Sequence, residues 1–286
     1  MSIKTLYFSS LLDGSPESIK RLGELYDDGE QMSAKGLFEA LKKHGVPYGF
    51  IDNTSDIWAR DFMPVEIKSA EPENRKFVSF KYNPWYLKGL PYRRNDYKKE
   101  IQGQFPNLDL RYTGVILDGG NIVSSPSKNK VIISNRIMIE NKCRTKKELA
   151  QKLTKILNAE EVIIIPSLPA TLKKGGDMTG HADGMVRFID ENKVVCNDTG
   201  AKLERDITTI LNKHGIEVIP FPFEECYINY LETEKYIFLP LFDIPYDDEA
   251  YNRAKKILLK PIVPVKGIAK LAEIGGGVLN CISWEL

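Results

Sequence analysis

The sequence predicts an α/β fold made of five copies of a strand–strand–helix–strand unit. Two recurring patterns predict it. In the first, a helix closes on Lys or His followed by Gly, and an apolar strand comes next. Residues 37–52 pass through Lys43-His44-Gly45, and residues 206–223 pass through Lys213-His214-Gly215. Residues 146–167 repeat helix and strand, with the helix ending near Asn158. Gly tolerates the left-handed backbone just past a helix, and a cationic last turn complements the helix dipole. His44 and His214 therefore read as capping or dipole-facing residues. In the second pattern a polar cluster leads into a strand, a tight turn and another strand.

That second pattern recurs along the chain. Asp118-Gly119-Gly120-Asn121 precedes strands at 122–125 and 131–134, with a turn at 127–129. His181 opens strands over 181–189 and 194–196, and Tyr227 opens strands over 227–231 and 236–241. Trp58-Ala59-Arg60-Asp61 leading into 62–67 is a further copy, and Gly275-Gly276-Gly277-Val278-Leu279-Asn280-Cys281 begins a last one. Each cluster carries one residue with chemistry to offer: Asp61, Asp118, His181, Asn229 and Cys281. Their spacings are 57, 63, 48 and 52 residues. A period near fifty marks a radial or stacked array of similar units. In a ring, five units would bring the five anchors to one axis, within a single domain over residues 1–286.

The stretch Gly180-His181-Ala182-Asp183-Gly184 concentrates the chemistry. In extended chain, residues i and i+2 face the same side, so His181 and Asp183 are expected to face one pocket. The chain has only three histidines, and the other two are accounted for as caps. The plain alternative is an exposed strand entrance.

Composition excludes several classes. Lys+Arg is 40 and Asp+Glu 39, a net charge of +1, so no global pull draws the chain to nucleic acid or an anionic membrane. No apolar run is long enough to span a bilayer. The first twelve residues read as no signal peptide, and a cytoplasmic protein is expected. The four cysteines, Cys143, Cys196, Cys226 and Cys281, form no C-x-x-C pair, so neither a zinc site nor a disulfide framework is expected. Cys196 reads as a strand-core residue. Homo-oligomerisation is left open.

Residues 81–111 are an excess over the repeat. Lys81, Lys88, Arg93, Arg94, Lys98, Lys99 and Arg111 alternate there with Tyr82, Trp85, Tyr86, Tyr92, Tyr97 and Phe105. Such a stretch can hold single-stranded nucleic acid. The preferred reading is a surface loop near the mouth of a pocket.

A thiolate is a strong nucleophile, and a nearby imidazole can move protons. Several carboxylates beside them suit a planar guanidinium, which donates paired charge-assisted hydrogen bonds. A Cys, a His and carboxylates therefore point to attack on a guanidinium carbon.

The chain resembles the agmatine deiminase and Porphyromonas-type peptidylarginine deiminase family of the guanidine-modifying superfamily. The matching pieces are Trp58-Ala59-Arg60-Asp61-Phe62-Met63-Pro64, Leu117-Asp118-Gly119-Gly120-Asn121, Gly180-His181-Ala182-Asp183-Gly184, Tyr227-Ile228-Asn229-Tyr230, and Gly275-Gly276-Gly277 with Cys281. They occur in the family's order and span most of the chain from Trp58 onward. The resemblance implies a five-bladed α/β propeller, the pentein fold. It implies Cys281 as nucleophile, His181 as general acid/base, and Asp61 and Asp183 as holders of the guanidinium. Asp118, Asn229, Trp58, Arg60 and Gly276 would bind substrate. The reaction it implies is deimination of a small guanidino substrate, agmatine first, with no cofactor and no metal. Asp118 stands where the family often has Glu, and Met63 where Gly is common. Amidino transfer, peptidylarginine or free-arginine deimination, and non-catalytic guanidinium binding are the alternatives.

Overall fold

The computed structural model describes residues 4–71, 73–83, 97–143, 145–167 and 179–286. The first repeat supplies β1 (Leu6–Ser9), α1 (Pro16–Leu25), α2 (Lys35–Lys43) and β2 (Tyr48–Ile51). The second supplies the short α3 (Ala59–Phe62), β3 (Val65–Ile67), β4 (Lys76–Lys81), α4 (Lys98–Gln104) and β5 (Asp109–Ile116). The third has β6 (Val123–Ser124), β7 (Lys130–Ser134), α5 (Ile137–Glu140), α6 (Lys146–Leu157) and β8 (Glu161–Ile165). The fourth has β9 (Val186–Asp190), β10 (Lys193–Asn197), α7 (Lys202–Lys213) and β11 (Glu217–Phe221). The fifth has β12 (Leu231–Glu232), β13 (Ile237–Pro240), α8 (Asp247–Ile257) and β14 (Ile262–Val265). The last elements are α9 (Ala269–Gly275) and β15 (Ser283–Glu285).

Among the described residues the strands form five sheets of three. All five share one plan. An antiparallel pair comes first, and a crossover containing helix then brings a third strand parallel to the middle one. The plan gives β3-β4-β5, β6-β7-β8, β9-β10-β11 and β12-β13-β14. The fifth sheet, β15-β1-β2, follows the same plan with its first strand taken from the end of the sequence. The unit that begins at Gly275 is thus completed by β1. Tyr7 pairs with Trp284, and Thr5 and Leu286 exchange two backbone hydrogen bonds at 2.6 and 2.9 Å. The apolar alternation of Ile282, Trp284 and Leu286 is the sequence trace of β15.

The chain divides into two compact units. One is built mainly from Met1–Arg60 and Glu225–Leu286, the other from Asp61–Ala170 and Thr179–Glu224. The first holds a core of Leu6, Phe8, Leu37, Leu41, Phe238, Leu279 and Ile282. The second holds two cores, one under β7, α6 and β8, and one under β9, β10 and α7.

Local sequence accounts for these elements. Ser15 caps α1, with Pro16 at its first position, and Thr145 caps α6 by accepting from the Glu148 amide. Leu149, Leu153 and Leu157 recur every four residues and give α6 its buried stripe. Asn158 ends α6 in the left-handed conformation, as Gly45 (φ +65°) and Gly215 (φ +70°) do after α2 and α7. His44 Nδ1 lies 2.8 Å from the Ala40 carbonyl and is a capping group, whereas His214 Nδ1 pairs with Glu161 Oε1 at 2.7 Å. Cys196 is buried in β10, and burial, with Glu204 and Asp198 nearby, pushes its thiol up to about 12.

The expectation of a surface loop at 81–111 is corrected by the structure over its described end, residues 97–111. Residues 98–104 form α4 and 109–116 form β5, so Ile101 and Phe105 are core residues. Tyr97 is buried and stacks on Phe62 with ring centroids 4.1 Å apart. Their apolar surface outweighs the lysines around them. Trp85, Tyr86, Lys88, Tyr92, Arg93 and Arg94 lie outside the described residues. Among the described residues no helix is long and apolar enough to cross a membrane.

Candidate active site

In the Asp61–Glu224 unit three turns bring four ionisable side chains together. Asp61 comes from α3, Asp118 from the mouth of the turn at 119–121, and His181 and Asp183 from the turn at 182–184. All four are buried. His181 Nε2 lies 3.1 Å from Asp118 Oδ2, and Nδ1 lies 3.5 Å from Asp61 Oδ1. The Gly120 amide donates to Asp61 Oδ1 at 3.0 Å. The imidazole is therefore flanked by carboxylates on both nitrogens.

Electrostatics set the protonation. Burial alone would lower the His181 pKa, but Asp61, Asp118 and Asp183 together outweigh it and raise it to about 10. Burial pushes Asp61 up to about 7; Asp118 and Asp183 add to the rise, and His181 and the Gly120 amide oppose it. Near neutral pH His181 carries its proton, and Asp61 stands close to its titration point. Three carboxylates around one imidazole leave the cluster short of positive charge, which a bound cation would supply.

In the other unit the structure builds a cradle for Cys281. Its thiol is half-buried, and its amide donates to Asn229 Oδ1 at 3.3 Å, as does the amide of Val278. The Asn229 carbonyl accepts from Asn280 at 3.1 Å. The Arg60 amide donates to the Cys281 carbonyl at 3.0 Å, and Arg60 Nε to the Asn280 carbonyl at 3.3 Å. Trp58 and Cys281 close on Gly277 so tightly that a Cβ there would stand 2.7 Å from the indole and 3.1 Å from Sγ. Gly276 is the left-handed cap of α9 (φ +74°).

Each anchor residue thus reaches one of two clusters: Asp61, Asp118, His181 and Asp183 in one, and Cys281, Asn229, Arg60 and Trp58 in the other. Asp118 orients His181, and Asn229 and Arg60 hold the cysteine turn. One premise is corrected. Residues 182–184 are a single 3₁₀ turn, not extended chain. His181 and Asp183 converge because the turn folds both toward Gly120, not because they alternate along a strand. Sequence reasoning missed Gly120, Asn121 and Gly277. None of the three offers a reactive group, and only packing against residues distant in sequence, Asp61 and His181 for Gly120, Ala182 for Asn121 and Trp58 for Gly277, exposes their roles. Among the described residues no three His, Cys, Asp or Glu side chains are arranged to hold a metal ion.

The sequence model of the Porphyromonas-type peptidyl-arginine deiminases matches residues 39–286. A Mycoplasma mycoides protein provisionally named agmatine deiminase is 24% identical, over 82% of this chain and 75% of its own. Among solved structures, an agmatine deiminase of Enterococcus faecalis superimposes with a TM-score of 0.70 at 16% identity, covering 99% of this chain and 93% of its own. A C. jejuni agmatine deiminase variant with substrate bound gives 0.70 at 18% identity, with the same coverages of 99% and 93%. The fold is shared with these structures: α/β, in five small mixed sheets, as the repeats predict. The chain belongs to the Porphyromonas-type peptidyl-arginine deiminase family.

Proposed function

We propose that this protein is a guanidine deiminase, a hydrolase of linear amidines, whose substrate is agmatine. Residues 1–286 act as one catalytic domain in the cytoplasm and need no cofactor. The observation that carries the reading is the buried Asp61–His181–Asp118–Asp183 cluster, in which carboxylates outnumber the single cation. Binding alone would not call for a protonated imidazole and a cradled thiol.

Asp61 and Asp183 hold the guanidinium by charge-assisted hydrogen bonds. Cys281 Sγ attacks the guanidinium carbon, and His181 gives its proton to a leaving nitrogen, which departs as ammonia. The remaining amidino-thioether is attacked by water, from which His181 recovers a proton. The C–S bond breaks, the water's second proton passes to solvent where it ends on the released ammonia, and the ureido product, N-carbamoylputrescine, leaves with the thiolate restored. Peptidyl arginine is a second reading, favoured by the family model. A turnover panel of agmatine, free arginine, methylated arginines and a C-terminal arginine peptide decides, with ammonia and ureido product both measured. Agmatine is expected to give the highest kcat/KM. A carboxylate-bearing substrate ahead of it by about tenfold, or 1.4 kcal/mol, would refute the agmatine assignment.

The pH profile follows from the cluster. kcat/KM is expected to rise through about pH 7 as Asp61 ionises, and to fall through about pH 10 as His181 loses its proton. Asp61→Asn should abolish the acidic limb and move the basic limb down, since the attraction raising His181 is weakened. It should also cost about tenfold or more in kcat/KM, as expected for a charge-assisted hydrogen bond of about 1.5–3 kcal/mol. Both folded pKa values lie above the ordinary ones. Each group's contribution to stability is therefore full below its ordinary pKa and is lost as pH rises through about 7 for Asp61 and about 10 for His181. An acidic limb that persists in Asp61→Asn would assign it to another group.

A further inference from the structure

We propose that Asn121 is a positioning residue for His181: its side-chain oxygen locks the turn that carries the imidazole between its carboxylate partners. The inference rests on the reading of His181 as proton carrier and adds a residue that need not touch the reacting atoms.

Asn121 is buried, and its Oδ1 accepts two backbone amides. One is from Ser134, at the end of β7, at 2.8 Å, and the other from Ala182, the residue after His181, at 3.1 Å. One oxygen thus ties a strand end of the third repeat to the histidine turn of the fourth. Ala182 is wholly buried, so losing that acceptor would strand its amide away from water. The neighbouring His181 amide is held in turn by Thr179 Oγ1 at 3.2 Å.

Asn121 and Asp118 stand at the two ends of the same 3₁₀ turn, closed by the Asn121 amide on the Asp118 carbonyl at 3.0 Å. Asp118 holds the imidazole ring, and Asn121 holds the backbone behind it. Together they make a two-point clamp on one residue. Fixing both the ring and its backbone removes the rotations that would carry the imidazole out of reach of Asp61, Asp118 and Asp183, the three charged groups that face it. The device recurs. Asn229 Oδ1 accepts the amides of Val278 and Cys281, so an asparagine of the fifth repeat grips the next anchor turn in the same way.

The test reads His181 directly. With three histidines in the chain, the ring-proton resonances can be assigned by His44→Gln and His214→Gln. The third signal is expected to titrate near pH 10 in the wild type. In Asn121→Ala it should fall by about one pH unit or more toward the ordinary histidine value. In step, the basic limb of kcat/KM should move down and kcat drop about tenfold or more, with KM changed less than about threefold. Asn121→Asp keeps the acceptor oxygen and should hold the signal at or above its wild-type position. An Asn121→Ala protein that melts earlier but keeps the wild-type His181 titration would overturn the proposal, leaving Asn121 a packing residue. Should the alanine variant not fold, the aspartate variant decides: a folded protein whose His181 signal has dropped refutes the role of the acceptor oxygen. If instead the deiminase reading fails, wild-type turnover is absent on every guanidino compound while the titration is still read.

Discussion

Cys281→Ala is expected to abolish turnover, with kcat reduced by about 10⁴-fold or more, because removing a nucleophile removes the covalent route itself. The fold should survive. The turn around Cys281 is held through its backbone, by Asn229 Oδ1 on the amide and the Arg60 amide on the carbonyl, and neither bond involves Sγ. Substrate affinity should survive as well, since Asp61 and Asp183 are untouched. Calorimetric titration of the variant with agmatine should therefore give binding without ammonia release. A haloacetamidine should label Cys281 in the wild type ahead of Cys143, Cys196 and Cys226, with agmatine protecting it. Cys196 is a built-in control: it is buried and its thiol is pushed up to about 12, so it offers little thiolate. A variant that keeps near-wild-type turnover would end the covalent mechanism.

Much of the fold was legible because its signals are local. Helix ends announced themselves through Lys43-His44-Gly45 and Lys213-His214-Gly215, and both glycines do take positive φ. The five polar turns stood out because each precedes an apolar strand at a spacing near fifty residues, a pattern readable without knowing which side chains meet. What stayed hidden depends on distance in sequence. The partner of β15 is β1, at the opposite end of the chain, and no local pattern encodes that pairing. Asp118 reads in the sequence as a substrate-binding carboxylate, and no local pattern encodes the 3.1 Å approach of its Oδ2 to His181 Nε2. The described end of the basic segment, residues 97–111, misled for a different reason. Its charges dominate the sequence, but Tyr97, Ile101 and Phe105 decide its structure through the area they bury.

Gly120→Ala is expected to cost about 10²-fold or more in kcat/KM while lowering the melting temperature only modestly. Gly120 has no positive φ, so alanine fits its backbone; the conflict lies in what a methyl group would meet. An ideal Cβ there would stand 2.5 Å from Asp61 Oδ1, 2.9 Å from His181 Nδ1 and 3.4 Å from Asp183 Oδ1. Three side chains proposed for catalysis thus share the space that a hydrogen atom now occupies. Side-chain ends can often move aside cheaply, but these are buried and tethered. Asp61 Oδ1 accepts from the amide of Gly120 itself, and His181 is fixed by Asp118 on its other nitrogen. Making room means turning Asp61 off that amide and widening its 3.5 Å approach to His181. Breaking one charge-assisted interaction costs about 1.5–3 kcal/mol, and two of them reach the expected factor at 1.4 kcal/mol per tenfold. Gly103→Ala is the matched control. It lies exposed in α4 with nothing within 4 Å of the added methyl, and should raise stability slightly with no change in rate. If Gly120→Ala turned over at the wild-type rate, the carboxylates and imidazole would have to be free to rearrange. The close-packed cluster would then not be the geometry that does the chemistry.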